Sequence, residues 1–257
     1  MKKYFILGTI FILLNACSSD SGNNNGSGLL VKEYTSKTTS YDGFTSTSEI
    51  VYKYFYNGNK LATVTYGDSF LPLTTASYTY AGDLITTVKQ GSGAIFFSES
   101  HYQYDDSGRL IRETTQPINS GISEDLKIYT YNPDNTVIRE CYHGLTANPA
   151  DLYETDRISL DSNNRFIKLE ILNGSIWTTK NEATYSIYNS PFKNITGYDK
   201  LFILQDLKNG FNTFNQYTNH STYNYTINNS NYPAKSTHKV ITYAGATLSA
   251  TTDIYKY

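Results

Sequence analysis

The segment His101–Thr115 has the sequence His-Tyr-Gln-Tyr-Asp-Asp-Ser-Gly-Arg-Leu-Ile-Arg-Glu-Thr-Thr and contains one complete β-hairpin signal. Tyr102 and Tyr104 alternate with polar residues, as expected for a strand with one buried face. The next four residues, ending at Gly108, have the composition of a tight turn, because Asp and Ser bond the backbone and Gly accepts a positive φ. Leu110 then begins the return strand.

Degraded copies of this hairpin recur along most of the chain. The first tyrosine of the pair, or the apolar residue that replaces it, falls at Tyr54, Tyr78, Tyr102, Tyr129 and Ile158. The spacing grows slowly along the chain, and a period of this size indicates an array of hairpins. The extra residues fall between hairpins, so we expect tight turns at one end of the sheet and longer loops at the other.

The array predicts an all-β fold, an antiparallel up-and-down meander of about 14–16 strands. A sheet of that size tends to curl or close, and closure removes its edges. Lys53, Thr79, Gln103 and Thr130 lie opposite the tyrosines, whereas a membrane barrel needs an apolar outer face. We therefore expect a curled or closed, flattened soluble barrel with tyrosine and aliphatic side chains inside.

The hairpin pattern fails near residues 189–214. Leu207, Phe211 and Phe214 follow at helical spacing, but Gly210 and neighbouring asparagines weaken a helix. Because an apolar segment must be covered, we predict one irregular insertion that folds over the sheet as a cap or partial plug, with a helical turn or two.

Residues 1–17 have the features of a lipoprotein signal peptide. Lys2 and Lys3 precede an apolar run that is too short to span a bilayer. Residues 14–17, Leu-Asn-Ala-Cys, resemble a bacterial lipobox, which predicts lipid attachment at Cys17. The alternative is an ordinary secretory signal in which this cysteine is incidental.

Residues 18–28 contain only Ser, Gly, Asn and one Asp and are predicted to be a flexible tether. Residues 29–257 then form a single β-meander domain. Acylation of Cys17 supplies more than the two signals that stable membrane anchoring requires. Because Ser18 follows the cysteine instead of Asp, resemblance to studied lipoproteins favours the outer membrane of the cell envelope over the inner one.

Composition excludes several classes of function. The formal net charge is −2 and becomes more negative when Lys2 and Lys3 are removed. No basic block is present, so nucleic acid is not an expected partner. Cys141 is the one cysteine besides Cys17, which leaves no internal disulfide. The core must therefore come from apolar side chains, among them 25 Tyr and 12 Phe.

Few residues suggest chemistry. Cys141 and His143 face the same way on a strand, and with Glu140 and Asp151 they suggest a metal or thiol site. The simpler interpretation is a partly buried thiol beside a loop histidine, since zinc normally has three or four protein ligands. No phosphate loop, nucleophile elbow or HExxH motif is present. We therefore assign no catalytic residue, metal ligand or cofactor.

Four further residues have two interpretations each. His101, His220 and His238 stand apart in the sequence and are expected to be surface or strand-facing side chains. Trp177, the single tryptophan, could stack on a sugar ring, but tyrosines with strand periodicity favour a place in the core.

Two resemblances to known families follow from these motifs. The run Tyr102–Leu110 resembles the YD repeat of Rhs proteins, whose repeats build a β-sheet shell around a toxin. Over about residues 30–257 the chain resembles a group of uncharacterised Bacteroidota lipoproteins with degenerate YD-like hairpins and a porin-like soluble meander. Residues 189–197, and Tyr223-Asn-Tyr225 followed by Asn231-Tyr232-Pro233, resemble the C-terminal segments of that group. The resemblance implies a fold and a location but no activity.

The leading hypothesis is a non-enzymatic cell-envelope lipoprotein that binds a protein or glycan partner through loops or a groove. It would contact the membrane through the lipid on Cys17. The first alternative is an immunity or accessory protein for a Rhs-type toxin, which rests on the YD resemblance alone. The second is an envelope hydrolase, which would require exposed carboxylates, or Cys141 with His143, in a cleft.

Overall fold

The fold is a closed antiparallel β-barrel. A computed structural model describes residues 28–41, 45–68, 73–93, 95–118, 124–201, 209–216, 219–242 and 246–257. Each strand pairs with its neighbours along the chain, and the first strand pairs with the last. The strands are β1 (Glu33–Ser40), β2 (Ser46–Asn57), β3 (Lys60–Gly67), β4 (Thr74–Ala81), β5 (Leu84–Ser92), β6 (Ile95–Tyr104), β7 (Leu110–Pro117), β8 (Asp125–Tyr131), β9 (Thr136–His143), β10 (Leu152–Leu160), β11 (Phe166–Asn173), β12 (Ile176–Asn189), β13 (Asn209–Gln216), β14 (Asn219–Ile227), β15 (Pro233–Thr242) and β16 (Thr247–Lys256). The predicted up-and-down meander is confirmed.

The repeated positions of the hairpins point into the barrel. Tyr54, Tyr129 and Ile158 are buried, and Tyr78 and Tyr102 pack half-buried against the same core. Alternation along each strand therefore places the repeated residue of every hairpin inside, as the sequence predicted.

The four polar residues that lie opposite the tyrosines in the sequence pattern are on the outer face of the same strands. Lys53, Thr79, Gln103 and Thr130 are all exposed on the outside of the barrel. These residues therefore lie on the outer face, as the sequence pattern predicted. No helix among the described residues is long and apolar enough to cross a membrane.

The second tyrosine of the pair ties its hairpin to the one before. The hydroxyl of Tyr104 donates to the carbonyl oxygen of Ile85 at 2.7 Å. The hydroxyl of Tyr131 donates to the carbonyl oxygen of Leu110 at 3.1 Å. In both cases the acceptor belongs to a buried residue on the return strand of the preceding hairpin. The tyrosine repeat thus combines burial with a specific bond between successive units.

Replacing Tyr104 with phenylalanine is expected to lower the free energy of unfolding by about 1 kcal/mol, because the Ile85 carbonyl loses its hydroxyl donor. Urea denaturation measures this change. Tyr41→Phe is the matched control, because the side chain of Tyr41 is exposed. Equal stability of the two variants would show that the Tyr104 hydroxyl adds nothing.

The turn of the clearest hairpin is held by its own side chains. Asp105 Oδ1 accepts bonds from the backbone N–H groups of Ser107 and Arg109, and Asp105 Oδ2 binds the Arg109 guanidinium. Asp161 and Arg165 repeat this arrangement two hairpins later. Asp105 is therefore a turn residue, and its carboxylate is occupied by the backbone and Arg109.

The irregular insertion is shorter than predicted. Strand β12 runs to Asn189, and the irregular residues that the structure describes are 190–201, with one helical turn, α1 (Tyr198–Leu201). Residues 209–214, predicted within the insertion, belong to β13 instead. Pairing of β13 with β12 shifts register between Phe214 and Phe211, which breaks the two-residue period of a strand. Residues 202–208 lie outside the described part.

Residues 190–201, the plug, cover the tight-turn end of the barrel. Ile195 and Leu201 are buried in its core, and Phe192 packs against Ile195. The backbone N–H of Thr196 donates to the carbonyl oxygen of Asn59 in the β2–β3 turn at 2.9 Å. The segment therefore packs over this end of the barrel, which agrees with the predicted cap or partial plug. The predicted signal peptide and nearly all of the predicted tether, residues 1–27 with Cys17, lie outside the described residues.

Candidate functional site

The barrel interior changes from apolar to polar along its strands. Strand β10 shows the change most directly. Ile158 lies near a tight turn among apolar side chains, whereas Asp156 and Glu154 point inward farther from that turn. Lys127 and Lys180 keep 27% and 39% of their side chains exposed, so solvent reaches this half of the interior. The polar half is the candidate site.

One wall of the polar half carries a charged network on β7 to β10. Lys127 Nζ lies 3.1 Å from Glu113 Oε1, and the Tyr129 hydroxyl donates to Glu113 Oε2 at 3.1 Å. Arg139 Nε donates to Asp156 Oδ2 at 2.8 Å. Each of these three bonds joins a side chain to one on an adjacent strand, so the barrel pairing builds the network.

Asp156 is the most buried charged group in this network. Its side chain has no exposed surface, and burial raises its pKa above the usual range although Arg139 opposes that shift. Asp156 Oδ1 is buried and has no hydrogen-bond partner. Glu154 contributes a second carboxylate, 3.2 Å from Lys180 Nζ. The site therefore contains one carboxylate oxygen that the described side chains leave unsatisfied.

Cys141 lies beside these carboxylates. It is opposite Glu154 in the β9–β10 pairing, and the ligand atoms of Cys141, Glu154 and Asp156 all lie within 4.8 Å of one another. Burial raises the pKa of the Cys141 thiol to about 11. A thiol with such a pKa stays protonated near neutral pH, so it is not an activated nucleophile.

His143 shares the face of Cys141, as predicted, but the ligand atoms that converge on Cys141 come from residues that the sequence did not suggest. The His143 ring stacks on Tyr153 at 4.3 Å, and Asp151 belongs to a 3₁₀ turn at Pro149–Asp151. Glu140 pairs with Ile128 and Thr155, one position out of phase with Cys141, and faces outward. The candidate ligand atoms near Cys141 therefore belong to Glu154 and Asp156, and not to the three residues that the sequence suggested.

The opposite wall has a second network, centred on Asp253. Oδ1 of Asp253 accepts hydrogen bonds from the Tyr34 hydroxyl and the Ser36 hydroxyl, both at 2.9 Å. Oδ2 accepts a bond from the Ser236 hydroxyl at 2.8 Å. His238 Nδ1 lies 3.9 Å from the same oxygen. Three neutral hydroxyl donors thus solvate a carboxylate that is almost fully buried.

His238 is a histidine that enters this network. Its ring stacks on Tyr223 at 4.6 Å. Burial lowers the pKa of His238 below its ordinary value of 6.5, although Asp253 opposes the shift. By contrast, His101 lies on the outer wall, 3.4 Å from Glu99. The His238 side chain therefore lies on the inner face of β15, against the neighbouring strands, which is one of the two positions that the sequence allowed.

Stability is expected to fall as the pH drops below about 6.5, partly because of His238. Its folded-state pKa is lowered, so the unfolded chain binds more protons there than the folded chain does. In His238→Gln the loss of unfolding free energy between pH 7 and pH 5 should therefore be smaller. His101→Gln is the control, and urea denaturation at both pH values is the measurement. An unchanged pH dependence in His238→Gln would contradict this role.

Sequence reasoning missed most of these residues. Asp253, Arg139 and Asp156 occupy inward positions that the tyrosine repeat assigned to apolar core. A signal was present, because Asp253 precedes the inward Tyr255 by two residues and so shares its face. The strands that pair with the Asp253 strand could not be identified from that spacing.

Trp177 belongs to neither network. Leu172 pairs with Trp177 on the outer face, and the Arg157 guanidinium lies 4.6 Å from the tryptophan ring centroid. A cation–π contact with Arg157 thus occupies one face of the ring. Trp177 therefore lies on the outer face and not in the core, and sugar stacking stays a prediction.

Comparison with known proteins identifies the fold. The crystal structure of a porin-like protein from Bacteroides uniformis matches with a TM-score of 0.55 and 15% sequence identity, over 88% of this chain and 97% of that chain. A porin-like protein from Bacteroides vulgatus matches with a TM-score of 0.48 and 15% identity, over 89% and 98%. No protein-family model and no curated protein matches the sequence. The first likeness shows a shared barrel fold.

Proposed function

We propose that this chain is a lipid-anchored protein of the bacterial cell envelope that binds a partner, protein or glycan, without catalysing a reaction. The observation that carries the proposal is the division of the barrel interior. The plug and aromatic core fill one half, whereas the other keeps charged and hydroxyl side chains within reach of solvent. A concave, polar surface of this kind favours a hydroxyl-rich ligand such as a glycan.

The inward side chains offer both donors and acceptors for such a ligand. Lys127 and Lys180 are donors on one wall, and Glu113 and Glu154 are acceptors beside them. These side chains are held by ion pairs, so little ordering is required when a ligand binds. Their burial is only partial, which leaves each group able to exchange solvent for ligand.

Two observations favour a binding protein over a pore. Phe192 and Ile195 of the plug pack into the tight-turn end of the barrel. Lys53 and Gln103 lie exposed on the outer face, where a lipid-facing strand carries apolar residues. The porin-like name of the structural neighbours supports an envelope location for this chain, and the proposal takes no transport activity from it.

The anchor would orient the barrel. The chain enters the fold at the plugged end, where Asn194 Nδ2 donates to the carbonyl oxygen of Leu29 at 2.7 Å. A lipid on Cys17, joined through the tether of residues 18–28, therefore holds the plugged end toward the membrane. The polar half then faces away from the membrane, where a glycan or protein can reach it.

The full chain on a polysaccharide array tests the binding proposal. We expect binding to at least one glycan, weakened at least tenfold by Lys127→Gln because that ammonium is an interior donor. Lys53→Gln, on the outer face, is the matched control and should bind normally. The binding proposal fails if no polysaccharide binds and no protein is recovered by pull-down, or if both variants bind equally.

Mass spectrometry of the N-terminus tests the anchor separately. We expect a chain that begins at Cys17 and carries acyl groups, and we expect Cys17→Ser to release the protein from membranes. An unmodified Cys17 would overturn the anchor and leave the binding result untouched.

A further inference from the structure

We infer that Cys141, Glu154 and Asp156 form a binding site for a divalent metal ion of the zinc class. The site lies on β9 and β10 inside the barrel, and it does not depend on the proposed glycan or protein partner. Three ligand atoms converge there, and one buried oxygen among the same residues is unsatisfied.

The three ligand atoms are close enough to share one ion. They lie within 4.8 Å of one another. With bonds of about 2.0 Å to oxygen and 2.3 Å to sulfur, tetrahedral ligands lie roughly 3.5 Å apart, so a modest contraction is needed. Glu154 can contribute to that movement, because a quarter of its side chain is exposed.

The unsatisfied oxygen points to a missing ligand. Arg139 holds Asp156 Oδ2, which fixes the carboxylate and leaves Oδ1 buried without a hydrogen-bond partner. Buried polar groups normally have a partner. Metal-ligating carboxylates are commonly held by a hydrogen bond to their other oxygen, as Arg139 provides here. A cation bound at Oδ1 would satisfy the orphaned atom without disturbing the ion pair.

The surrounding charges allow a cation to bind. Arg139 and Lys180 balance the carboxylates of Asp156 and Glu154, and the thiolate of Cys141 adds a third negative charge when metal binds. The thiol proton leaves to solvent as the sulfur–metal bond forms. A divalent ion therefore meets three anionic ligands and two cations, which raises the net charge of the group only to plus one.

The ligand set selects the class of metal. A thiolate with two carboxylates suits zinc and cobalt, whereas calcium and magnesium prefer oxygen ligands alone. Three protein ligands leave the fourth position of a tetrahedral ion for water or another ligand.

Titration of the chelator-treated full chain with Co²⁺ tests the site. We expect one Co²⁺ per chain, a near-ultraviolet sulfur-to-cobalt charge-transfer band, and displacement by Zn²⁺. Cys141→Ser should remove the band, and Glu154→Gln should weaken Co²⁺ binding at least tenfold. Glu140→Gln, the outward-facing neighbour of Cys141, is the matched control and should bind normally.

The outcomes separate a built site from chance binding. Absence of the band in the wild-type chain overturns the site. A band that persists in Cys141→Ser, or equal affinity in Glu154→Gln and Glu140→Gln, identifies an adventitious ion only. If Cys141→Ser does not fold, the partly exposed Glu154 carries the test, because its replacement leaves the core packing intact.

Discussion

Replacing Gly197 with alanine is expected to displace the plug and lower the free energy of unfolding by about 3 kcal/mol or more. Gly197 has a φ of +71°, a conformation that side chains with a Cβ rarely adopt. An added Cβ would lie 2.2 Å from the carbonyl oxygen of Asp83. That oxygen belongs to the backbone of the β4–β5 turn, so it cannot rotate away, and the plug must move instead.

Gly58→Ala separates steric overlap from backbone strain. Gly58 has a φ of +61°, close to that of Gly197, but an added Cβ there has no neighbour within 4 Å. We expect Gly58→Ala to cost only the conformational penalty, about 1–2 kcal/mol. Urea denaturation gives both values, and hydrogen exchange should show faster exchange at residues 190–201 in Gly197→Ala alone. Similar losses in the two variants would mean that the plug does not press on the β4–β5 turn.

The strand array could be predicted because its cause is local. Alternation in segments such as His101–Thr115 fixes which side chain points inward, and Gly108 fixes the turn. Asn164 shows how far this reasoning extends. It has a φ of 59° and takes the place of Gly108 in the second copy of the turn, so the turn forms without the glycine.

The polar half could not be predicted, because its cause is the pairing between strands. Cys141 meets Glu154 only through the β9–β10 register, and spacing along the chain favoured His143 instead. Asp253 meets Ser36 only because β1 closes the barrel against β16. These contacts join residues that are distant in sequence, so the sequence pattern identified an inward face without its partners.

Replacing Arg139 with methionine is expected to lower the free energy of unfolding of the metal-free chain by about 3–5 kcal/mol. The substitution leaves the carboxylate of Asp156 fully buried without its cation, and removing one partner of a buried pair is costly. Methionine keeps much of the side-chain volume, so lost packing contributes little. Arg157→Met, one strand away on the outer face, should lower the free energy of unfolding by less. Its partner Glu170 would still have the Lys168 ammonium 2.9 Å away.

The pH dependence gives this prediction its sharpest test. Burial already raises the pKa of Asp156 with Arg139 in place, and removing the guanidinium raises it further. A folded-state pKa above the unfolded value adds stability that is present at low pH and is lost as the pH rises through the folded pKa. The deficit of Arg139→Met relative to the wild-type chain should therefore be larger at pH 8 than at pH 5 in urea denaturation. A deficit that is constant with pH would mean that Asp156 is not left as a buried charge, and that Arg139 acts through packing alone.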